Sequence, residues 1–308
     1  MWWYVGRRLL QTIPVILGST FIVYGLVFLA PGDPIAAMFG DKPIPSAVRA
    51  ELENQYNLND PFLIQWLKYL GNALTGDFGT AFSGRPVSEL VAQALPVTFQ
   101  LAIMALVIEA TLGIAAGFYA GLRRGGIFDS TMLLVSLLVI AVPIFVFGFL
   151  MQLIFGVKLG WAPITVGGDP TFQSLILPAI VLGLTSFAYI LRLTRTSIVD
   201  NLTADHVRTA RAKGLSTGTV NRRHVLRNSL IPVTTYLGTD LGTLMAGAIV
   251  TEGIFNVPGI GRLAFQAVNR GEGATVVGVV TVMVLIYVLM SLIVDLLYAL
   301  LDPRIRYA

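Results

Sequence analysis

Three carboxylates stand where carboxylates are costly. Glu109 interrupts the apolar run 90–122, Asp240 the run 228–251, and Asp295 follows the run 273–294. Burying an ionised carboxylate in hydrocarbon is expensive, so each acid should face a neighbouring helix or a watery path. Two kinds of chemistry follow. The acids attract an ammonium group or take up a proton or Na⁺ along a translocation pathway, or they hold helices together by hydrogen bonds. Met245 and Gly247, farther along the Asp240 segment, are residues of the flexible kind that form a gate. Asp240, Met245, Glu109 and Asp295 are therefore the candidate pathway residues.

Covalent and metal chemistry find no footing. Both histidines, His206 and His224, fall in one basic stretch, which leaves none for a membrane-embedded Ser and His pair, and no His-Glu-x-x-His pattern exists. The chain has no cysteine, which removes disulfides, thiolate metal sites and a Cys nucleophile together. Its four lysines are Lys42, Lys68, Lys158 and Lys213, and none follows a glycine, so no phosphate-cradling G-x-x-x-x-G-K-[ST] loop is present. The stretch GIGRLA at 259–264 matches a dinucleotide fingerprint but follows Pro258 and lacks an acid at the required distance. Pro258, Gly259 and Gly261 are read instead as shaping a tight re-entrant turn in an extracytoplasmic loop. No catalytic residue, metal or cofactor is expected in this chain, and the expectation is a transporter component rather than an enzyme.

The elements that carry these residues follow from composition. Of 308 residues 55% are hydrophobic and 12% charged, against roughly 25% charged in soluble domains. Crossing about 30 Å of hydrocarbon takes about 20 mostly apolar residues. Six runs qualify: 9–32, 90–122, 130–157, 170–191, 228–251 and 273–294. The expected fold is an all-α integral membrane protein with six transmembrane helices. Arg7 and Arg8 before the first run also describe a signal peptide, but the run's length and the Pro-Gly-Asp-Pro that follows, without a cleavage pattern, favour a retained helix.

Lys and Arg set the orientation. Arg7, Arg8, Arg123, Arg124, the 192–228 connection with eight basic residues against two acids, and Arg304 with Arg306 all fall on one side. The opposite side holds the 33–89 connection, with four basic residues against seven acids. By the positive-inside rule both termini are cytoplasmic. The net charge of +4 reflects this asymmetry rather than a nucleic-acid surface.

The outer segment reads as a small helical insertion. In PSAVRAELENQYNL a helix opens at Pro45 or Ser46, repeats Val48, Leu52 and Tyr56, and ends at Asn57 to Asp60; PFLIQWLKYLGNAL gives a second, with Leu63, Leu67 and Leu70 as its apolar face. These helices cap the outer mouth or help to dock a partner.

The basic stretch 204–232 is helix, glycine turn, helix. Thr203 is placed to cap a helix over 204–213 with Asp205 in its first turn, and Gly214 suits a left-handed stop. Thr203, Val207, Ala210 and Gly214 form a stripe of small residues that lets another helix or a foreign surface come close, with Arg208 and Arg211 beside it. Ser216 or Thr217 caps the second helix, which runs through Arg222, Arg223, His224 and Arg227 toward Pro232, the start of the fifth span. Charge alone is equally satisfied by a positive-inside loop touching anionic lipid headgroups.

The order of residues says more. VRTARAKGL followed by RRHVLRNSLIP resembles the cytoplasmic coupling loop, or EAA loop, of ABC importer permeases. Arg208, Thr209 and Ala210 take the Glu-Ala-Ala places and Gly214 the Gly place, and the departures from the general pattern are those of the dipeptide and oligopeptide branch. FLAPGDP, DPFLIQWLKYL, GDFGTAFSGRPV, LPVTFQLA, TEGIFNVPGIGRLAFQAV and the terminal DPRIRY also look like that branch. Arg270 to Gly273 departs from its usual Arg-Asp-x-Pro. The order of motifs is similar to the first of the two permeases, which has a long loop after its first span.

The resemblance implies a type I ABC importer permease fold. Residues 1–32 would form the cytoplasmic N-terminus and first span, 33–95 the extracytoplasmic segment, 96–302 the core permease domain with its coupling loop at 200–228, and 303–308 a cytoplasmic tail. Val207, Arg208, Thr209, Ala210, Arg211, Gly214 and Leu215 would engage an ATPase. Implied partners are a second, homologous permease forming a heterodimer, two cytoplasmic ATPase domains that hold the ATP and Mg, an extracytoplasmic substrate-binding protein, and the lipids of the inner cell membrane. Nucleic acid is not among them. The implied cargo is a dipeptide or short oligopeptide, with nickel, glutathione or haem as alternatives in the same branch. An ion-coupled secondary transporter using Glu109, Asp240 or Asp295 is the rival from another class.

Overall fold

In lipid a chain must satisfy its backbone polar groups internally, which favours helices over long apolar runs. A computed structural model describes residues 2–29, 35, 36 and 44–301. The Pro-Gly-Asp-Pro at 31–34 and the tail at 303–308 lie outside the described residues. Among the described residues the long elements are all helices, and the one extended pairing is an isolated bridge between Thr80 and Pro86.

In chain order the helices are α1 (Trp2–Phe28), α2 (Ser46–Gln55), α3 (Phe62–Leu74), α4 (Val87–Leu122), α5 (Ile127–Ala141) and α6 (Ile144–Met151), which widens into a π-helical turn at Gln152–Lys158. Then come α7 (Phe172–Leu202), α8 (Asp205–Ala212), α9 (Thr217–Val220) with a second π-helical turn at Asn221–Leu226, α10 (Arg227–Phe255), α11 (Ile260–Asn269) and α12 (Gly273–Leu301). Among the described residues four helices can cross a membrane by length and composition: α1 over Gly6–Phe28, α4, α7, and α12 over Gly273–Ile293.

Two expected spans differ from their simple form. The uncharged run 130–157 is not one straight helix, because α5 and α6 meet at 104° and make a fifth span only if counted together. The cause is Pro143: the residue before a proline is pushed out of the helical region, and Val142 is extended, with φ −96° and ψ 128°. The run 228–251 lies within α10, whose 29 residues give about 44 Å at 1.5 Å per residue. Five threonines, Asp240 and Glu252 dilute its apolar character, so it is not among the helices apolar enough to cross on composition.

The chain forms two compact units, Met1–Thr98 with Pro258–Ala308, and Phe99–Val257, and α4 contributes residues to both. In the first, α3 docks on α1 through rings. Phe21 meets Phe62 and Trp66 edge-on at centroid distances of 5.4 and 5.2 Å, and Tyr24 lies 5.4 Å from Tyr69. The Tyr69 hydroxyl donates to Thr281 Oγ1 of α12 at 2.8 Å. The packing face of α3 is thus aromatic. Leu63 and Leu67, expected to face inward, are each 54% exposed, because the large flat surfaces of Phe62, Trp66 and Tyr69 take the contact with α1. Val87, Val91 and Ala94 of α4 pack with Ile260 and Ala264 of α11 and Val279 of α12.

In the second unit α4 lies close along α7. Gly113, Gly117 and Gly121 recur every fourth residue and so share one helix face. A Cβ at Gly117 would lie 2.5 Å from the Leu191 carbonyl oxygen and 2.6 Å from Thr194 Cβ, and one at Gly121 would lie 2.6 Å from Ile198 Cγ2. Only glycine permits this approach, in which backbones come near enough for dispersion to hold helices that lipid does not squeeze together.

Candidate functional site

The basic stretch folds as an elbow whose inner side is apolar. Asp205–Ala212 forms α8, and the glycine stop is as expected: Gly214 has φ 76°, its N–H donates to the Arg211 carbonyl at 2.9 Å, and Leu215 N–H returns to the Ala210 carbonyl at 3.4 Å. Thr203 does not cap this helix. It ends α7, its hydroxyl donating to the Asp200 carbonyl at 3.0 Å, and Ala204 takes the N-cap place without a side-chain bond. Ser216 does cap α9, accepting from Thr219 N–H at 3.4 Å. From Thr217 the helix runs through the π-helical turn into α10, and Pro232 lies inside α10 rather than at a span's beginning.

The stripe of small residues looks inward at its centre. Val207 is fully buried and Ala210 is 4% exposed, packed with Ile198 of α7, Val220 and Val225, and flanked by Phe118 and Leu122 of α4. The surface that approaches closely is therefore the chain's own second helix. Outward lie Arg208, Thr209, Arg211, Gly214 and Leu215, all exposed. The Arg208–Asp205 contact at 3.8 Å is an exposed ion pair and contributes little. His206 Nε2 and Asn228 Nδ2, 2.9 Å apart, tie α8 to the start of α10.

Several holding residues carry no obvious sequence signal. Arg195 on α7 grips Asp129 on α5 with two hydrogen bonds, and Asp129 also accepts from Gly125 N–H at 2.9 Å. Ser229 of α10 donates to the Ser197 carbonyl of α7 at 3.0 Å. Gln152, in the first π-helical turn, donates to the Ile164 and Ile254 carbonyls at 2.8 and 3.0 Å. The glycine triplet, by contrast, is legible in GIAAGFYAG once its four-residue spacing is noticed.

Glu109 and Asp240 come together. Glu109 is fully buried, Asp240 is 3% exposed, and their carboxyl groups lie within hydrogen-bonding reach of one another. Gly183 of α7 makes room: a Cβ there would lie 3.2 Å from Glu109 Oε2. Met245, on α10, is buried, while the side chain of Asp295 lies outside the described residues. Gly259 and Gly261 are buried and belong to the start of α11, whose Ile260 N–H donates to Thr98 Oγ1 at 2.8 Å. The expected glycine turn is made otherwise. Asn256 ends α10 in the left-handed region at φ 54°, whereas Gly259 has an extended backbone at φ −103°. Among the described residues no three His, Cys, Asp or Glu side chains gather as a metal site requires.

Residues 113–307, which take in the elbow, α7 and α10, match the family model described as binding-protein-dependent transport system inner membrane component. The chain belongs to that family. It is 37% identical to the dipeptide transport system permease protein DppB of Alkalihalophilus pseudofirmus, over 99% of both chains. It is 36% identical to the oligopeptide transport system permease protein AppB of Bacillus subtilis and 39% identical to the glutathione transport system permease protein GsiC of Salmonella paratyphi A, again over 99% of both chains in each case. As a binding-protein-dependent transport permease, this chain is a multi-pass membrane component of an ABC importer rather than an enzyme. Its family implies partners that hydrolyse ATP and bind substrate.

Proposed function

We propose that this chain is the permease subunit of an ATP-driven importer of dipeptides or short oligopeptides. It pairs with a second, homologous permease and places the elbow at 205–226 in a cleft of a cytoplasmic ATPase. The observation that carries this reading is the construction of the elbow. Its apolar side is locked onto α4 and α7, its exposed side presents Arg208, Thr209, Arg211 and Leu215, and its second helix continues unbroken into α10. A push on such a surface is transmitted to the spans as a rigid-body movement, which is what switching access between the two sides requires. Both termini and the elbow are cytoplasmic in this proposal, α10 crosses the membrane as the fifth of six spans, and an extracytoplasmic binding protein delivers the peptide. Glu109, Asp240, Met245 and Asp295 remain candidate pathway groups. Glu109 and Asp240 are buried in the conformation described, so an ammonium group reaches them only after α4 and α10 part.

The absence of cysteine makes the test clean. Thr209→Cys or Leu215→Cys should cross-link to a cysteine in the ATPase cleft of the assembled complex, whereas Val207→Cys should not. Cross-linking from the buried position alone, or recovery of the chain without any ATPase, would reject the coupling assignment. The resemblance to a glutathione permease supports a second cargo, so uptake of glutathione should be measured beside dipeptides, oligopeptides, nickel and haem.

A further inference from the structure

The acid pair stands in an environment that leaves it one way to exist. Glu109 comes from α4, Asp240 from α10, and both are buried. Neither Glu109 oxygen, nor Asp240 Oδ2, has a hydrogen-bond donor among the described residues. The polar groups around them are Tyr236, one turn before Asp240 and within its reach, and Ser186 of α7, whose Oγ lies 3.5 Å from the Tyr236 hydroxyl. Tyr189 of α7 stacks on Tyr236 at 4.3 Å. Among the described residues no lysine or arginine acts on Glu109. The charged residue of α7 nearest to them, Arg192, is exposed, and the next, Arg195, is engaged with Asp129 of α5. α6, which packs against α10, has no titratable side chain.

An ionised carboxylate only accepts hydrogen bonds, so two of them at this range repel, and the one donor within reach, the Tyr236 hydroxyl, serves Asp240 and leaves Glu109 without any. A carboxylic acid donates. We propose that Glu109 and Asp240 form a proton-binding site, sharing a proton in a carboxyl-to-carboxyl hydrogen bond that ties α4 to α10. The proton comes from solvent and returns to it, and no other bond is made or broken. The tie spans two helices that meet the elbow, since Phe118 and Leu122 of α4 pack on it and α10 continues from it. Loss of the proton puts two like charges face to face and drives the helices apart. The elbow's push and the pair's protonation therefore bear on the same separation.

Infrared spectroscopy of the complete complex in lipid tests the proton directly and does not depend on what the complex transports. Selective ¹³C labelling of Glu, then of Asp, should shift a carboxylic-acid C=O band present near neutral pH in the unaltered protein. That band should be lost in Glu109→Gln/Asp240→Asn. In the same preparation, uptake by the unaltered complex should fall at alkaline pH, while uptake by the double amide variant, taken relative to its own value at neutral pH, should lack that component of the fall because its hydrogen bond does not titrate. Absence of a protonated carboxyl band overturns the proposal, whatever becomes of the importer assignment. So does an identical pH profile in the two proteins. A rise in KM for substrate at constant kcat in either single variant, Glu109→Gln or Asp240→Asn, would also overturn it, by making the carboxyl a substrate contact.

Discussion

Arg195 holds Asp129 by both arms of its guanidinium, Nε at 2.9 Å from one carboxylate oxygen and Nη2 at 2.7 Å from the other. The carboxylate side chain is 3% exposed and the guanidinium 22%. The pair fastens the first turn of α5 to α7 about three turns before the elbow. Removing one member of a buried pair leaves the other charge unsatisfied, at a cost on the order of 3 kcal/mol. Asp129→Ala should accordingly lower the thermal stability of the purified complex by that order. Arg195→Lys, which keeps the charge but loses the two-pronged geometry, should fall between it and the parent. Equal melting temperatures for all three would mean that the pair contributes nothing to holding α5.

The glycine face of α4 gives a sharper contrast. Gly117→Ala places a methyl group 2.5 Å from the Leu191 carbonyl oxygen, so α4 and α7 must separate. Overpacking of this kind costs about 1–3 kcal/mol. Gly71, inside α3, has nothing within 4 Å of the place an added methyl would take. Gly71→Ala should stabilise its helix by about 0.5–1 kcal/mol, because alanine loses less backbone freedom on folding. Detergent melting curves of the two variants should move in opposite directions.

Periodicity and punctuation are what the sequence makes legible. Gly214 announces the left-handed stop, Pro61 and Ser46 the helix starts, and the apolar runs most of the long helices. What stays concealed depends on which residue faces which. The spacing of Val207 and Ala210 is visible, but not that these residues meet Val220 and Val225 of the same chain rather than a partner. In α3 leucine spacing suggests one face and the aromatic rings claim another. Glu109 and Asp240 are individually conspicuous as costly acids, but sequence separation of this length gives no hint that one faces the other. Asp129 and Arg195, ordinary charges at the ends of apolar runs, look like topology signals only.

Tyr69 links α3 to α12, and its phenol is pushed up from 10.0 to about 12 by burial, against a smaller lowering from its bond to Thr281. A group whose folded pKa is raised contributes stability that is fully present below the unfolded value and is lost as pH rises through the folded one. Stability should therefore be insensitive to this residue below pH 10 and decline between about 10 and 12. Tyr69→Phe should abolish that component of the decline and cost about 1 kcal/mol at neutral pH, the worth of one hydrogen bond. Chemical denaturation at several pH values would reveal an unchanged alkaline decline if the ring alone matters.

The elbow's two sides predict opposite outcomes for one substitution. Ala210→Glu drives a carboxylate among Val207, Val220, Val225 and Ile198, an apolar cluster, so the elbow should loosen and uptake should be lost. Thr209→Glu, one residue earlier and exposed, keeps the fold and alters only the surface offered to an ATPase. Protease accessibility separates the two: Ala210→Glu should open the 205–226 segment to cleavage, while Thr209→Glu should leave it protected. At Gly214 open space surrounds the position, so the obstacle is conformational rather than steric. Gly214→Ala at φ 76° should cost about 1 kcal/mol, with Gly214→Asn less damaging, because asparagine visits the left-handed region more readily. If Gly214→Ala and Gly214→Asn both abolish uptake while the elbow stays protected, the glycine is needed for contact with the ATPase as well as for the turn.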